Sequence, residues 1–283
     1  MRGAKKPTLR RGMALLTVLW MVAALSIMVM GMVRSIRTEA QLAGSARQIS
    51  VGGALGDAAI HLVLQSMVGR SEPQSAFAVV DVPYHGQSVA VEVLPLNGLI
   101  DLNKAPVELL AAAMTIAGDM LPAQAELAAQ AIQQWRVTRD AQGRTQTFEA
   151  LEDLLQVPGI DYELYANIAP LLTVDQVGSG RVNPMAAPES VLKVLAGGNS
   201  AEAARIVAQR MAGGVGVDTT SLNGAWLETT ATRRFKLRAR VPLADGGAVL
   251  VARSVNLAAL AREGMPWYTF RFEQRLDASA AVR

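Results

Sequence analysis

From Met13 to Val33 the chain carries an almost unbroken apolar run, MALLTVLWMVAALSIMVMGMV, in which only Thr17 and Ser26 are polar. At 1.5 Å per residue a helix of this length spans roughly 31 Å, the thickness of a bilayer core. Both hydroxyls can bond back to helix carbonyls. After Val33 the pattern turns amphipathic. Residues 34–68 are polar, with apolar positions such as Leu55, Ala58, Ala59 and Leu62 at helical spacing. The two patterns predict one long helix. Gly44, Gly52, Gly53 and Gly56 each weaken it by about 1 kcal/mol relative to Ala, so a bend or fraying is expected near Gly52–Gly53. Its outer half is expected to pack on a sheet.

Ser71-Glu72-Pro73 ends this helix. Two apolar runs follow, Phe77–Val82 and Ser88–Leu94, joined by Pro83-Tyr84-His85-Gly86. The second alternates with Val89, Val91 and Val93 on one face, and the Pro/Gly connection predicts a hairpin. From Asn97 helical patterns take over, at about 105–117, 122–139, 147–156, 161–171, 186–197 and 200–211. Asn103 is expected to cap the first of these, with Pro106 in its first turn. Asn183, Ala187-Pro188 and Val191-Leu192 echo Asn103, Ala105-Pro106 and Leu109-Leu110, with a spacing that differs by two residues. Strand character returns after Gly213-Gly214. Phe235, Leu237, Ala239 and Val241 alternate with charges, Asp245-Gly246-Gly247 signals a turn, and Ala248–Asn256 and Trp267–Phe272 are further strands. The order predicts an α+β fold with an all-helical domain inserted between strands. The expected parts are a leader at 1–12, a membrane segment at 13–33, helix and first strands at 34–96, the insertion at 97–215, the remaining strands at 216–276 and a disordered tail at 277–283.

Five basic residues, Arg2, Lys5, Lys6, Arg10 and Arg11, precede the apolar run with no acid among them. By the positive-inside rule they stay cytoplasmic, which puts everything after Val33 on the far side of the membrane. The run is longer than a secretory signal core, and no Ala-x-Ala cleavage site follows it. A plain anchor and a type IV prepilin-like signal, short, basic and ending in Gly12, remain. The leader also explains the net charge of +3: beyond it the chain has 22 basic and 24 acidic residues, which gives no support to nucleic-acid binding. There is no cysteine, so disulfides, thiol catalysis and thiolate metal sites are excluded.

Candidate chemistry is sparse. His61 and His85 lie in different elements, without a partner at metal-ligand spacing. No Ser-His-Asp set or carboxylate pair stands out, so no catalytic residue and no cofactor site are expected. Gln156-Val157-Pro158-Gly159-Ile160 has the form of a helix-hairpin-helix turn, which in DNA-binding modules holds phosphate. Here Asp161 and Glu163 follow at once, and no Lys or Arg occurs from Glu149 to Ser179. Glu149, Glu152 and Asp153 suit the N-terminus of a helix. Trp20, in mid-span, fits a helix–helix contact or lipid packing equally.

Taken together, the chain resembles the minor pseudopilin K family of type II secretion systems (general secretion pathway protein K). The resemblance covers most of the chain. It rests on Arg10-Arg11-Gly12-Met13-Ala14-Leu15-Leu16-Thr17-Val18-Leu19, on Gly98-Leu99-Ile100-Asp101-Leu102-Asn103-Lys104-Ala105-Pro106, on Phe148 through Ile160, and on Val182-Asn183-Pro184 with Ala187-Pro188. It implies a pilin-like fold, cleavage by prepilin peptidase between Gly12 and Met13, and N-methylation of Met13. Most pilins carry Glu at the fifth mature position, which here is Thr17. That Glu meets the amine of the preceding subunit, so its absence fits a subunit at the filament tip, and a helical insertion would block stacking above. The implied role is to cap a complex with minor pseudopilins I and J and help start the pseudopilus. The alternatives are a membrane-anchored DNA-uptake protein and a minor pilin of a related type IV system. The resemblance also implies that calcium is possible, since some members of the family bind it through carboxylates and carbonyls. Asp218, Asp245 and Glu263 are loop acids in the second strand region, but none forms an EF-hand-like run, and calcium stays unassigned.

Overall fold

The computed structural model describes residues 10–69, 74–84, 86–139, 143, 145–213, 216–244, 246–262 and 265–277; at 10–14, 31–42 and 258–262 it describes the backbone alone. The chain falls into two units, Met1–Gly52 and Gly53–Arg283. Positions 1–9 of the leader, Ser71-Glu72-Pro73, His85, Asp245, Glu263 and the tail 278–283 lie outside the described residues.

Helix α1, Arg10–Val68, is helical at every residue, Gly52 and Gly53 included, so the expected fraying is absent. Within the second unit the reason is packing. A Cβ on Gly53 would lie 2.7 Å from the amide nitrogen of Gln274, and one on Gly56 would lie 2.9 Å from a methyl of Val251. The missing side chains let the helix backbone approach the sheet, and the contact offsets the propensity lost. Ala59, Ile60, Val63, Leu64 and Met67 are buried on this side. Asp57 accepts from Arg253 Nε, and the His61 ring meets the edge of Trp267 at 6.2 Å between centroids.

The sheet has five antiparallel strands in the order β1-β2-β5-β6-β7: Ala78–Tyr84, Gln87–Pro95, Arg234–Pro242, Ala248–Arg262 and Met265–Asp277. The expected alternation holds. Val91 pairs with Ala239 and Ala239 with Val251, so buried valines and alanines line the helix side while Glu92 and Arg238 share the other. β6 and β7 run longer than expected, and Asp277, assigned to the tail, ends β7. The extra length comes from mutual pairing that reaches Arg262↔Met265, with a bulge at Ser254/Val255.

Between the sheet neighbours β2 and β5 the chain forms helices: α2 Val107–Ile116, α3 Pro122–Val137, α4 Tyr162–Ile168, α5 Glu189–Leu195 and α6 Ser200–Met211. The helix expected at 147–156 is a 3-10 segment, Leu151–Gln156. The Asp153 carboxylate takes the amides of Glu149 and Ala150 and holds the chain before it extended. A two-stranded parallel pair was not foreseen: β3 Ile100–Asp101 and β4 Leu172–Thr173, too short to show periodicity. One buried apolar cluster joins these helices, running from Leu94 to Leu222 and so past the expected boundary at 215.

The glycines of α1 predict opposite responses. Gly44 has nothing within 4 Å of a built Cβ, so Gly44→Ala should gain about 1 kcal/mol of helix stability. Gly56→Leu should lose about 1–3 kcal/mol by overpacking Val251 and Val241. Urea unfolding of the full chain in detergent, followed by circular dichroism, reads both.

Candidate functional site

The first unit presents an exposed apolar surface. Leu15, Leu16, Val18, Leu19, Trp20, Met21, Val22, Leu25, Ile27, Met28, Val29 and Met30 are all exposed, Trp20 by 75%. They go round the helix rather than along one stripe, as for a helix solvated by lipid. Thr17 lies exposed among them, and the Ser26 hydroxyl donates back to Val22 O at 2.8 Å. Gly12 and Met13 lie in the first turns of α1, where the backbone alone is described. The stretch Ala43–Val68 is also long and apolar, with mean hydropathy 1.3, but 44% of it is buried. Its apolar residues serve the sheet contact, which leaves Leu15–Met30 as the apolar stretch whose large side chains are exposed.

The second unit holds its polar residues in a duplicated arrangement. In the first copy β3 leads into a turn. Asp101 Oδ1 accepts from the Asn103 amide at 2.8 Å, and the Ala105 amide donates to Asp101 O at 2.9 Å. Pro106 then opens α2. In the second copy Val182 bridges Leu227 in parallel, Asn183 Oδ1 accepts from the Met185 amide at 3.0 Å, the Ala187 amide donates to Asn183 O at 3.0 Å, and Pro188 opens α5. The equivalences Asp101/Asn183, Ala105/Ala187, Pro106/Pro188 and Leu110/Leu192 all share one chain interval. The two-residue offset in the sequence echo came from aligning Asn103 with Asn183. Asn103 does not cap a helix. Its side chain clips the Phe148 backbone, donating to the carbonyl at 3.0 Å and accepting from the amide at 2.8 Å.

Each copy ends its second helix with an arginine that reaches back to its own turn. Arg136 donates from Nε and Nη2 to Leu102 O at 2.9 and 2.7 Å and from Nη1 to Ala105 O at 2.8 Å. Arg210 donates from Nη1 to Met185 O at 2.9 Å and to Ala187 O at 2.7 Å, and stacks over Phe77. The copies also interlock. A Cβ on Gly98 would lie 2.3 Å from Ala186 O, and one on Gly180 would lie 2.3 Å from Lys104 O. Gly98 and Gly180 are themselves equivalent, as are Lys104 and Ala186, so each glycine seats the other copy's turn. Burial lowers the Arg136 pKa to about 10, against the pull of the Asp101 charge. Burial raises that of Asp101, opposed by the Asn103 amide and by Lys104 and Arg136, and its Oδ2 is buried without a partner.

The other sequence candidates stand apart. His61 Nδ1 donates to Asp57 O at 2.8 Å. In the hairpin Gly159 has φ +87°, and Asp161 Oδ1 accepts the Leu164 amide at 2.8 Å, filling the N-terminus of α4 with a carboxylate where a phosphate would need to sit. Asp218 Oδ1 already accepts from the Thr220 amide and hydroxyl, at 3.0 and 2.6 Å. Among the described residues no three His, Asp or Glu gather where they could hold a metal, and Asp245 and Glu263 lie outside those residues. A cleft of about 210 Å³ lies where the helices meet the outer sheet face. Its charges pair with acids, Lys236–Glu273 at 3.1 Å, Arg271–Asp175 at 3.2 Å and Arg238–Glu92 at 2.7 Å, which leaves little for a ligand to neutralise. The residues that sequence reasoning missed are Asp101 as the turn acceptor, the two arginine clamps and the two glycines. The signal for the turn and the glycines was the equal interval from Gly98 and Gly180 to their Ala-Pro pairs, which the arginines do not share.

No known family profile matches the chain, and no curated protein matches it. Among solved structures it is similar to a chain of the GspK-GspI-GspJ complex from the type 2 secretion system of enterotoxigenic Escherichia coli. That likeness is distant, with 16% identity and a TM-score of 0.45 over 86% of this chain and 98% of that one.

Two predictions follow from the duplicated turns. Arg136→Met and Arg210→Met keep the side-chain stem but orphan buried carbonyls, and each should cost about 1–3 kcal/mol in urea unfolding. Asp101→Asn imitates the second copy. Because burial raises the folded pKa of Asp101 above 3.8, the native state binds the extra proton, and stability falls as pH rises from 3.8 through the folded value. The advantage of Asp101→Asn over the parent should therefore be larger at neutral pH than at about pH 4, as read from urea midpoints at both.

Proposed function

We propose that this chain is a minor pseudopilin at the tip of a type II secretion pseudopilus, a structural assembly protein and not an enzyme. The observation that carries the reading is the exposed apolar surface of α1 from Leu15 to Met30, directly behind five basic residues in the sequence and ahead of a helix segment packed on an antiparallel sheet. In this reading prepilin peptidase removes residues 1–12 between Gly12 and Met13, and Met13 is N-methylated. The helix anchors in the inner membrane with its N-terminus cytoplasmic and the large remainder periplasmic. The fold is pilin-like, with the helices between β2 and β5 as an insertion. That bulk and the absence of Glu at position 17 suit a subunit with none above it, since a carboxylate in the bilayer is costly without a partner amine. The partners are minor pseudopilins I and J of the same system.

Mass spectrometry of the mature N-terminus, from cells with and without prepilin peptidase, tests this. The expected result is a methylated start at Met13 that depends on the peptidase, with I and J recovered alongside. An intact leader in both strains would sink the pseudopilin reading and leave a plain anchor.

A further inference from the structure

The dipeptide Asn-Gly occurs twice, at Asn97-Gly98 and Asn223-Gly224, each time after a leucine. Glycine has no Cβ to crowd its nitrogen, so that nitrogen can add to the side-chain carbonyl carbon of the asparagine before it. The new C–N bond closes a five-membered ring. The glycine N–H proton passes to water, and the carboxamide nitrogen takes a proton and leaves as ammonia. Water then opens the succinimide at either carbonyl, giving aspartate or isoaspartate. The reaction requires rotation of the peptide between the two residues, and access for water. The fold treats the two copies of the dipeptide differently. Asn97 is 2% exposed, its Nδ2 donates to Thr230 O at 2.7 Å, and its carbonyl accepts from the Asn183 amide at 2.7 Å. Gly98 is the glycine wedged on Ala186. Rotating that peptide would break a buried hydrogen bond and drive backbone into backbone, so Asn97 reacts only through local unfolding. Asn223 and Gly224 are both exposed. Asn223 opens the single 3-10 turn Gly224–Trp226, and a Cβ built on Gly224 meets nothing within 4 Å. Rotation here releases two bonds at an open turn, where water replaces them. They run from the Trp226 amide to Asn223 O at 3.0 Å and from the Ala225 amide to Asn223 Oδ1 at 3.1 Å.

We propose that Asn223 is a site of spontaneous conversion to aspartate and isoaspartate, and that the isoaspartate loosens the strand-like contact at Val182. The turn that Asn223 opens ends in that contact. The Val182 amide donates to Trp226 O at 2.8 Å, and the Glu228 amide donates to Val182 O at 3.0 Å. Isoaspartate carries the main chain through its Cβ, which makes the chain one atom longer between Leu222 and Gly224. The extra atom displaces Trp226 O from the Val182 amide, and Val182 leads directly into the second copy of the clamped turn. The inference is independent of the secretion reading, so a failure of the leader to be processed leaves it standing.

The test ages the full-length protein in nanodiscs at mildly alkaline pH and maps its peptides by mass spectrometry after digestion in acid. An isoaspartyl methyltransferase reports the isoaspartate. Over weeks the peptide holding Asn223 should gain the mass of an amide-to-acid exchange. The peptide holding Asn97 should convert at least about tenfold more slowly in the folded protein, and the two rates should converge in urea. Gly224→Ala fits the open space at that position and should slow conversion of Asn223 by about tenfold or more, because the methyl group crowds the attacking nitrogen. Hydrogen exchange at the Val182 and Glu228 amides should quicken in the aged parent and not in the aged Gly224→Ala protein. An Asn223 that stays intact while Asn97 converts in urea, or an Asn97 that converts as fast as Asn223 in the folded chain, would overturn the site. Unchanged exchange at both amides in fully converted protein would overturn the loosening.

Discussion

Two glycines pressed against two backbone turns set the geometry of the helical block. Gly98 sits on Ala186 and Gly180 on Lys104, at distances no side chain could occupy. With the turns so close, their carbonyls lose access to water, and buried carbonyls need donors. Arg136 and Arg210 supply them from the ends of α3 and α6, which fixes where those helices finish relative to α2 and α5. The apolar cluster then fills the space this frame leaves. The two copies differ at one chemically important point. Asn183 is neutral, while Asp101 places a buried carboxyl within electrostatic reach of Arg136, and burial disfavours the charge on each.

One helix obeys two sets of rules along its length. In the first unit its large side chains are apolar and exposed all round. In the second unit the same α1 buries one side, exposes the other, and uses small residues to come close to the sheet. Mean hydropathy does not separate these regimes, since a core helix and a lipid-facing helix can score alike. Burial does, and so does the Asp57–Arg253 pair, which has no place in hydrocarbon.

Much of this was legible in the sequence because it depends on local periodicity. The alternation of Phe235, Leu237, Ala239 and Val241 gave β5 and its buried face, and Pro122 marked the start of α3. What was not legible depends on distant partners. Gly52–Gly53 looked like a weak point because propensity counts only the helix, whereas the neighbouring glycines 53 and 56 are there for the sheet. Asn103 looked like a cap because caps are local, yet its partner is Phe148. Arg136 and Arg210 carry no local signature at all. Gly12, Met13 and Thr17 remain features of the sequence alone.

The register of β2 and β5 frees the connection between them from any fixed length. Pro95 and Phe235 are direct partners, so the ends of the connection lie one strand spacing, about 5 Å, apart. To the sheet, everything between them is a loop of no span, interchangeable with a tight hairpin turn. Closing a longer loop costs only logarithmically more entropy. Residues can therefore be added to or taken from the connection between β2 and β5 without re-registering a single strand.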